Sequence, residues 1–249
     1  MGNLFKSELY KLKKDRSFLL LTILLVIVSI CYPLLIVFDE GAGLIKISDF
    51  YQSTVLNGNN YVIKLAPCIL AGFFISNEYS FGTMKNIGAS GNSRFRIYFA
   101  KLMVFSIGAI IISLILPIVM TGASALYSGF HDMPELGYFV KTIGLTILYA
   151  ASFSSLMALL ATILTESGKA IAFMLLFFLL FDGILYGLST LIPIFELVLK
   201  YSIFDLLLKI VNVDTFMNGG MNKMIIVPII TYGIFGLLGS LLFIKKEIK

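Results

Sequence analysis

Six long stretches of almost unbroken apolar sequence restrict this chain more than any other feature. They lie at about Phe18 to Phe38, Tyr61 to Ser76, Leu102 to Tyr127, Tyr138 to Leu164, Ala170 to Ile192 and Met224 to Ile244. Most approach or exceed the ~20 residues that a helix needs to cross a hydrocarbon layer roughly 30 Å thick. A helix satisfies its own backbone groups there. Strands of a membrane barrel would alternate apolar and polar residues, and Ala170 to Leu180 shows no such alternation. With 59% hydrophobic and 13% charged residues and a mean hydropathy of +0.97, the chain reads as an all-α membrane protein of six spans. The second run is short, so Lys64 near its outer end is expected to snorkel toward water.

An even number of spans puts both termini on one side, and the basic residues choose which. With cytoplasmic termini, the inner segments hold Lys6, Lys11, Lys13, Lys14, Arg16, Lys85, Arg94, Arg96, Lys101, Lys169, Lys245, Lys246 and Lys249, 13 of the 19 Lys and Arg. The outer segments hold the other six: Lys46, Lys64, Lys141, Lys200, Lys209 and Lys223. The positive-inside rule therefore favours cytoplasmic termini. The net charge of +5 then reads as an inner basic collar facing anionic lipid rather than a nucleic-acid footprint.

The first span follows a basic stretch, as a signal peptide does, but it is too long for such a core and has no Ala-x-Ala-like exit. Before it, Phe5, Leu9 and Leu12 share one helical face with Lys6 and Lys13 roughly opposite. Residues 1–17 thus read as an amphipathic helix lying on the inner leaflet.

Several chemistries are unsupported by the sequence. There is no Gly-x-x-x-x-Gly-Lys-[Ser/Thr] phosphate loop, and Gly168-Lys169 is followed by alanine. His131, the single histidine, falls in an outer loop, so no paired-histidine metal site is expected. Ser152, Ser154 and Ser155 stand in no nucleophile elbow; with Ala150, Ala151, Ala158 and Ala161 they read as close helix packing. Cys31 and Cys68 fall at similar depth, where contact is possible but two small apolar fillers are the plainer reading. Gly183 and Gly187 form a Gly-x-x-x-Gly step, and Gly236 with Ser240 a small-x-x-x-small step, each suited to packing within the bundle or between subunits.

Asp182, in FLLFDGILYG, is a carboxylate deep in the fifth span. Insertion there costs roughly 2.5–3.5 kcal/mol, so it faces protein or water or is protonated. With Tyr186 one turn on, it is a candidate either for a polar contact between helices or for the transport path.

The segment Asn77 to Arg96, NEYSFGTMKNIGASGNSRFR, is too polar to be buried in lipid and falls between the second and third spans, on the inner side. Glu78, Tyr79, Phe81, Met84 and Ile87 alternate with Ser80, Thr83, Lys85 and Asn86. That suits a short helix with an apolar side against a partner, followed by a turn at Gly88, Gly91 and Asn92. Arg94, Arg96 and Lys101 are expected to anchor the next span at lipid headgroups.

The order Asn77-Glu78, Gly82-Thr83-Met84-Lys85, Gly91-Asn92-Ser93-Arg94 and Lys101-Leu102 resembles the first cytoplasmic loop of ABC-2 type transporter permeases. The likeness is to the bacterial class that includes bacitracin-resistance, lantibiotic-immunity and peptide-toxin exporter subunits. The layout is similar too: a basic amphipathic N-terminal segment, six spans and a longer outer segment between the last two. The resemblance implies an ABC-2 (type V exporter) permease architecture, with residues 1–249 as one permease domain, 77–101 as the coupling loop and 193–223 as the outer segment. It implies a separate ABC ATPase subunit that binds ATP and Mg, with no cofactor in this chain. It further implies a second copy of this or a related permease, and a bacterial cell membrane. Glu78, Tyr79, Phe81, Gly82, Thr83, Met84 and Lys85 would then contact the ATPase. Glu78 would pair with a base there or cap the short helix, Phe81 and Met84 would fill a groove, and Gly82 would allow close approach.

The outer segment, rich in leucine and aromatic residues with Glu196, Lys200, Asp205 and Lys209 interspersed, suggests helices dipping into the outer leaflet, a cap over the exit, or packing on the span ends. The 22 phenylalanines of the whole chain suit an apolar or amphipathic cargo, and the resemblance implies an antimicrobial peptide or hydrophobic drug moved outward. An ion-coupled carrier using Asp182, and a non-transporting membrane scaffold, are the alternatives.

Overall fold

The computed structural model describes residues 2–41, 46–82, 91–216 and 220–246, and among them every regular element is helical. Helix α1 (Gly2–Lys14) is amphipathic and ends at Asp15, whose extended backbone turns the chain. The Asp15 carboxylate then accepts the Phe18 N–H at 3.0 Å, capping α2 (Arg16–Glu40). Four more long helices follow: α3 (Ile47–Ser80), α4 (Arg94–Ser128), α5 (Leu136–Ile163) and α6 (Ser167–Leu191). Two short helices, α7 (Pro193–Lys200) and α8 (Ile203–Leu208), lead through a tighter stretch at Lys209–Phe216 to α9 (Met221–Lys245). Helices α2 to α6 and α9 are each long and apolar enough to cross a membrane.

These six do not share the core equally. In their most apolar stretches, 61%, 61% and 56% of α3, α4 and α5 is buried, against 11%, 17% and 22% of α2, α6 and α9. Three helices therefore make the interior and three clad it. Helix α5 is central, packing most extensively on α9 and α4. Its small residues allow this: Ala150, Ala158 and Ala161 are buried, and the Ser154 and Ser106 hydroxyls meet at 2.7 Å.

The second span corrects the sequence reading. Its helix starts at Ile47 rather than Tyr61. The polar run around Asn57 to Asn60 hides the extension, because Asn59 and Asn60 face protein, at 1% and 3% exposure. Two π-helical segments, Tyr51–Leu56 and Gly72–Ser76, are spliced into this helix, a feature frequent at functional sites. Lys64 consequently lies in mid-helix with its side chain buried, and it does not snorkel.

The segment joining α6 to α9 dips far into the bundle. Phe204 packs on Phe153 at 5.1 Å and Phe181 at 4.7 Å, and is stacked on Phe178 at 6.0 Å between ring centroids. Phe178 is about 16 Å from the Ser167 end of α6 at ~1.5 Å per residue. The chain then climbs back until the Tyr138 hydroxyl donates to the Val211 carbonyl at 2.7 Å. Residues 193–216 thus form a re-entrant hairpin, buried in protein at Ile203, Phe204, Leu206, Leu207, Ile210 and Val213.

Candidate functional site

Four charged side chains form a closed ring at the end of the bundle where α1, the end of α3 and the start of α4 converge. Helical spacing sets Glu8 in the stripe of α1 that also carries Phe5 and Leu12, so the stripe that buries Leu12 buries Glu8 as well, each at 2% exposure. Leu12 reaches α4 closely enough that a Cβ on Gly108 would lie 3.2 Å from its Cδ1. Lys101, on α4, bridges Glu8 at 2.9 Å and Glu78 at 2.7 Å. Lys11 bridges the same two carboxylates from the other side, at 2.6 Å and 3.1 Å. Opposite charges alternate round the ring, and Lys101 also lies 4.9 Å over the Phe74 ring.

The ring explains how such charges are tolerated. Burial by itself would raise the Glu8 pKa, but Lys101 and Lys11 outweigh it and hold the carboxyl below its ordinary range. Burial likewise works to lower Lys11, and Glu8 and Glu78 raise it above the ordinary lysine value. Glu8 was not singled out in the sequence. The signal that could have found it is an acid lying within an otherwise apolar helical face.

Within this chain Glu78 pairs with Lys11 and Lys101, and its position differs from expectation. It does not start a helix: it lies in the last turn of α3, which runs on to Ser80. A carboxylate at that end opposes the helix dipole, and the two lysines compensate. Tyr79 packs edge-on to Phe243 at 6.3 Å, with the Lys246 ammonium 4.8 Å over its ring. The Ser80 hydroxyl donates to the Thr165 carbonyl at 2.7 Å, tying α3 to the α5–α6 turn. Phe81 then stands out, 74% exposed, and Gly82 has a φ of +66°, a conformation that favours glycine. Thr83, Met84 and Lys85 lie outside the described residues, as do Asn86, Ile87 and Gly88.

Two presumed headgroup anchors have other work. Lys101 is buried in the ring. Arg94 donates to the carbonyls of Ile244 at 2.8 Å and Lys246 at 2.9 Å, satisfying the open end of α9.

A second polar centre lies at mid-bundle. The Lys64 ammonium and the Asp182 carboxylate form an ion pair linking α3 to α6, with side-chain exposures of 3% and 25%. Asp182 thus makes a polar contact between helices, with a lysine as its partner. Tyr186, one turn along, is 66% exposed. A Cβ on Gly183 or Gly187 would meet none of the described residues within 4 Å, so among these neither glycine makes a close helix contact. Close approaches occur elsewhere: a Cβ on Gly239 would fall 1.9 Å from the Tyr98 hydroxyl, and one on Gly72 only 2.2 Å from Ile171 Cγ1. Gly236 also packs within the bundle, against Leu102. Cys31 is exposed, Cys68 is buried, and both are free thiols. Among the described residues no cluster of His, Cys, Asp and Glu could hold a metal.

The ring ties the last turn of α3 to both α1 and α4. Compared with known families, residues 4–183 match the family described as ABC-2 family transporter protein. No curated protein matches the chain.

Proposed function

Because the chain belongs to the ABC-2 family of transporter proteins, we propose that it is the membrane-spanning permease subunit of an ATP-driven exporter of antimicrobial or amphipathic peptides or hydrophobic drugs. A separate ATPase subunit supplies the energy, and a second permease copy completes the transporter in a bacterial cell membrane. The termini are cytoplasmic. The observation that carries this reading is the ring of Glu8, Lys11, Glu78 and Lys101, which fastens the root of the loop to α1 and α4. The ATPase docks on the loop, with Phe81 as an exposed apolar contact. Glu78 acts inward, passing the motion on rather than pairing with the ATPase.

An ion-coupled carrier would use Asp182 as its proton site. The Lys64 partner weighs against that, since the carboxylate is already engaged in an ion pair between α3 and α6. The test is co-expression with a candidate ABC ATPase subunit, followed by copurification and transport of candidate peptides into inverted vesicles. Phe81→Asp is expected to abolish copurification, and transport is expected to require ATP. Transport by the permease alone under a pH gradient would overturn the reading.

A further inference from the structure

Outside both polar centres, an apolar groove of about 450 Å³ runs between α6 and α9, within the roughly 300–1,000 Å³ typical of ligand sites. Its floor is Leu156, Leu159 and Leu160 of α5, and its walls are Phe177 and Phe181 on one side and Thr231 and Phe235 on the other. The tip of the re-entrant hairpin, Tyr201–Phe204, closes it at mid-bundle. Hydroxyls at the groove are already engaged: Ser202 accepts the Phe204 N–H at 3.1 Å, and Thr231 donates to Val227 at 2.8 Å.

Both walls continue toward the end of the bundle that holds the termini, and each finishes in a lysine. On α6, Phe181, Phe177 and Phe173 stack one turn apart, at 4.7 Å and 6.0 Å between centroids, and Lys169 is the next residue of that stripe. On α9 the stripe from Phe235 passes through Leu238 and Leu242, both exposed, to Lys245, also exposed. Lys169 pairs with Glu166 at 2.9 Å, but both side chains are mostly in water, at 74% and 64% exposure, and such a pair is worth little.

We infer that the groove holds one acyl chain of an anionic phospholipid from the leaflet at that end, with the headgroup between Lys169 and Lys245. A groove lined mainly by apolar side chains, whose two wall helices each carry a lysine further along the same stripe toward that end, matches a molecule with a hydrocarbon tail and a negative head. The site depends neither on the ATPase partner nor on the identity of the cargo.

The chain has no tryptophan, so a single introduced indole reports the groove. The full chain carrying Phe235→Trp, or Leu159→Trp should the first not fold, is reconstituted in vesicles doped with phosphatidylglycerol or phosphatidylcholine brominated on the acyl chain. Leu20→Trp, at a site 68% exposed on α2, serves as the comparison. Brominated phosphatidylglycerol is expected to quench the groove reporter preferentially, with about fivefold preference per lysine, and both lipids to quench Leu20→Trp alike. Adding Lys169→Gln and Lys245→Gln should erase the preference. Equal quenching by the two lipids, or a preference that survives the double substitution, overturns the inference. Quenching by neither lipid would also overturn it, placing a second copy or another protein segment in the groove.

Discussion

Lys64 and Asp182, separated by 118 positions in the chain, meet as an ion pair between α3 and α6 in the middle of the bundle. Counted along the two helices, both lie more than 20 Å from the ends nearest the termini at ~1.5 Å per residue. Each is therefore at a depth where an unpaired charge is costly.

Removing one member should hurt more than removing both. Lys64→Met or Asp182→Asn alone strands or unbalances the other, a loss of about 3–5 kcal/mol where the remaining charge is buried, with the partial exposure of Asp182 placing Lys64→Met toward the lower end. The double variant Lys64→Met/Asp182→Asn should recover much of the loss. Thermal unfolding of the four proteins in one detergent measures this; a double variant as unstable as the sum of the singles would show that the pair is not a unit.

In the ring, Lys101→Met leaves Glu8 without its most buried partner and should cost about 3–5 kcal/mol. Exchange of signs is more informative. Glu78→Lys and Lys101→Glu should each uncouple transport from ATP hydrolysis, and their combination should restore part of the coupling while ATPase binding through Phe81 is retained. Transport per ATP hydrolysed is the quantity to measure.

The ring's pH dependence follows from its shifts. The Glu8 pKa is lowered, so its stabilisation is present above the ordinary carboxyl value of about 4.3 and is lost as pH falls through the lowered value. The Lys11 pKa is raised, so its share is complete below about 10.4 and is lost as pH rises through the raised value. Helix α1 should stay docked from about pH 5 to pH 10 and detach in stronger acid. Protease access to α1 across pH gives the measurement, and Glu8→Gln should reduce its acid dependence.

Glycine substitutions should separate packing positions from open ones. Gly239→Ala drives a methyl into Tyr98, and Gly72→Ala into Ile171; each should cost about 1–3 kcal/mol. Gly183→Ala and Gly187→Ala meet nothing among the described residues and should stay within about 0.5 kcal/mol in the isolated chain. If either of the latter two disrupts a purified dimer while the monomer remains stable, that face is where copies meet.

The sequence by itself determined that this is a six-span helical membrane protein, because a run of apolar side chains leaves the backbone no partner but itself in lipid. It also marked Asp182 as needing an explanation and Phe81 as a candidate contact, both from the cost of placing that residue type in that surrounding. What it could not supply were partners distant in the chain. Lys64 looked like a snorkelling residue because the polar asparagines before it disguised the start of α3, and those asparagines are tolerated only because other helices cover them. Glu8 passed unmarked in a helix read as lying on the inner leaflet, and Lys101 looked like part of a basic collar, until packing closed the ring around them. The Gly-x-x-x-Gly step was visible at Gly183, yet the close contacts fell at Gly72 and Gly239. Hydrophobicity is additive along a chain, whereas charge pairing and steric fit depend on which helix faces which, and that only the tertiary structure decides.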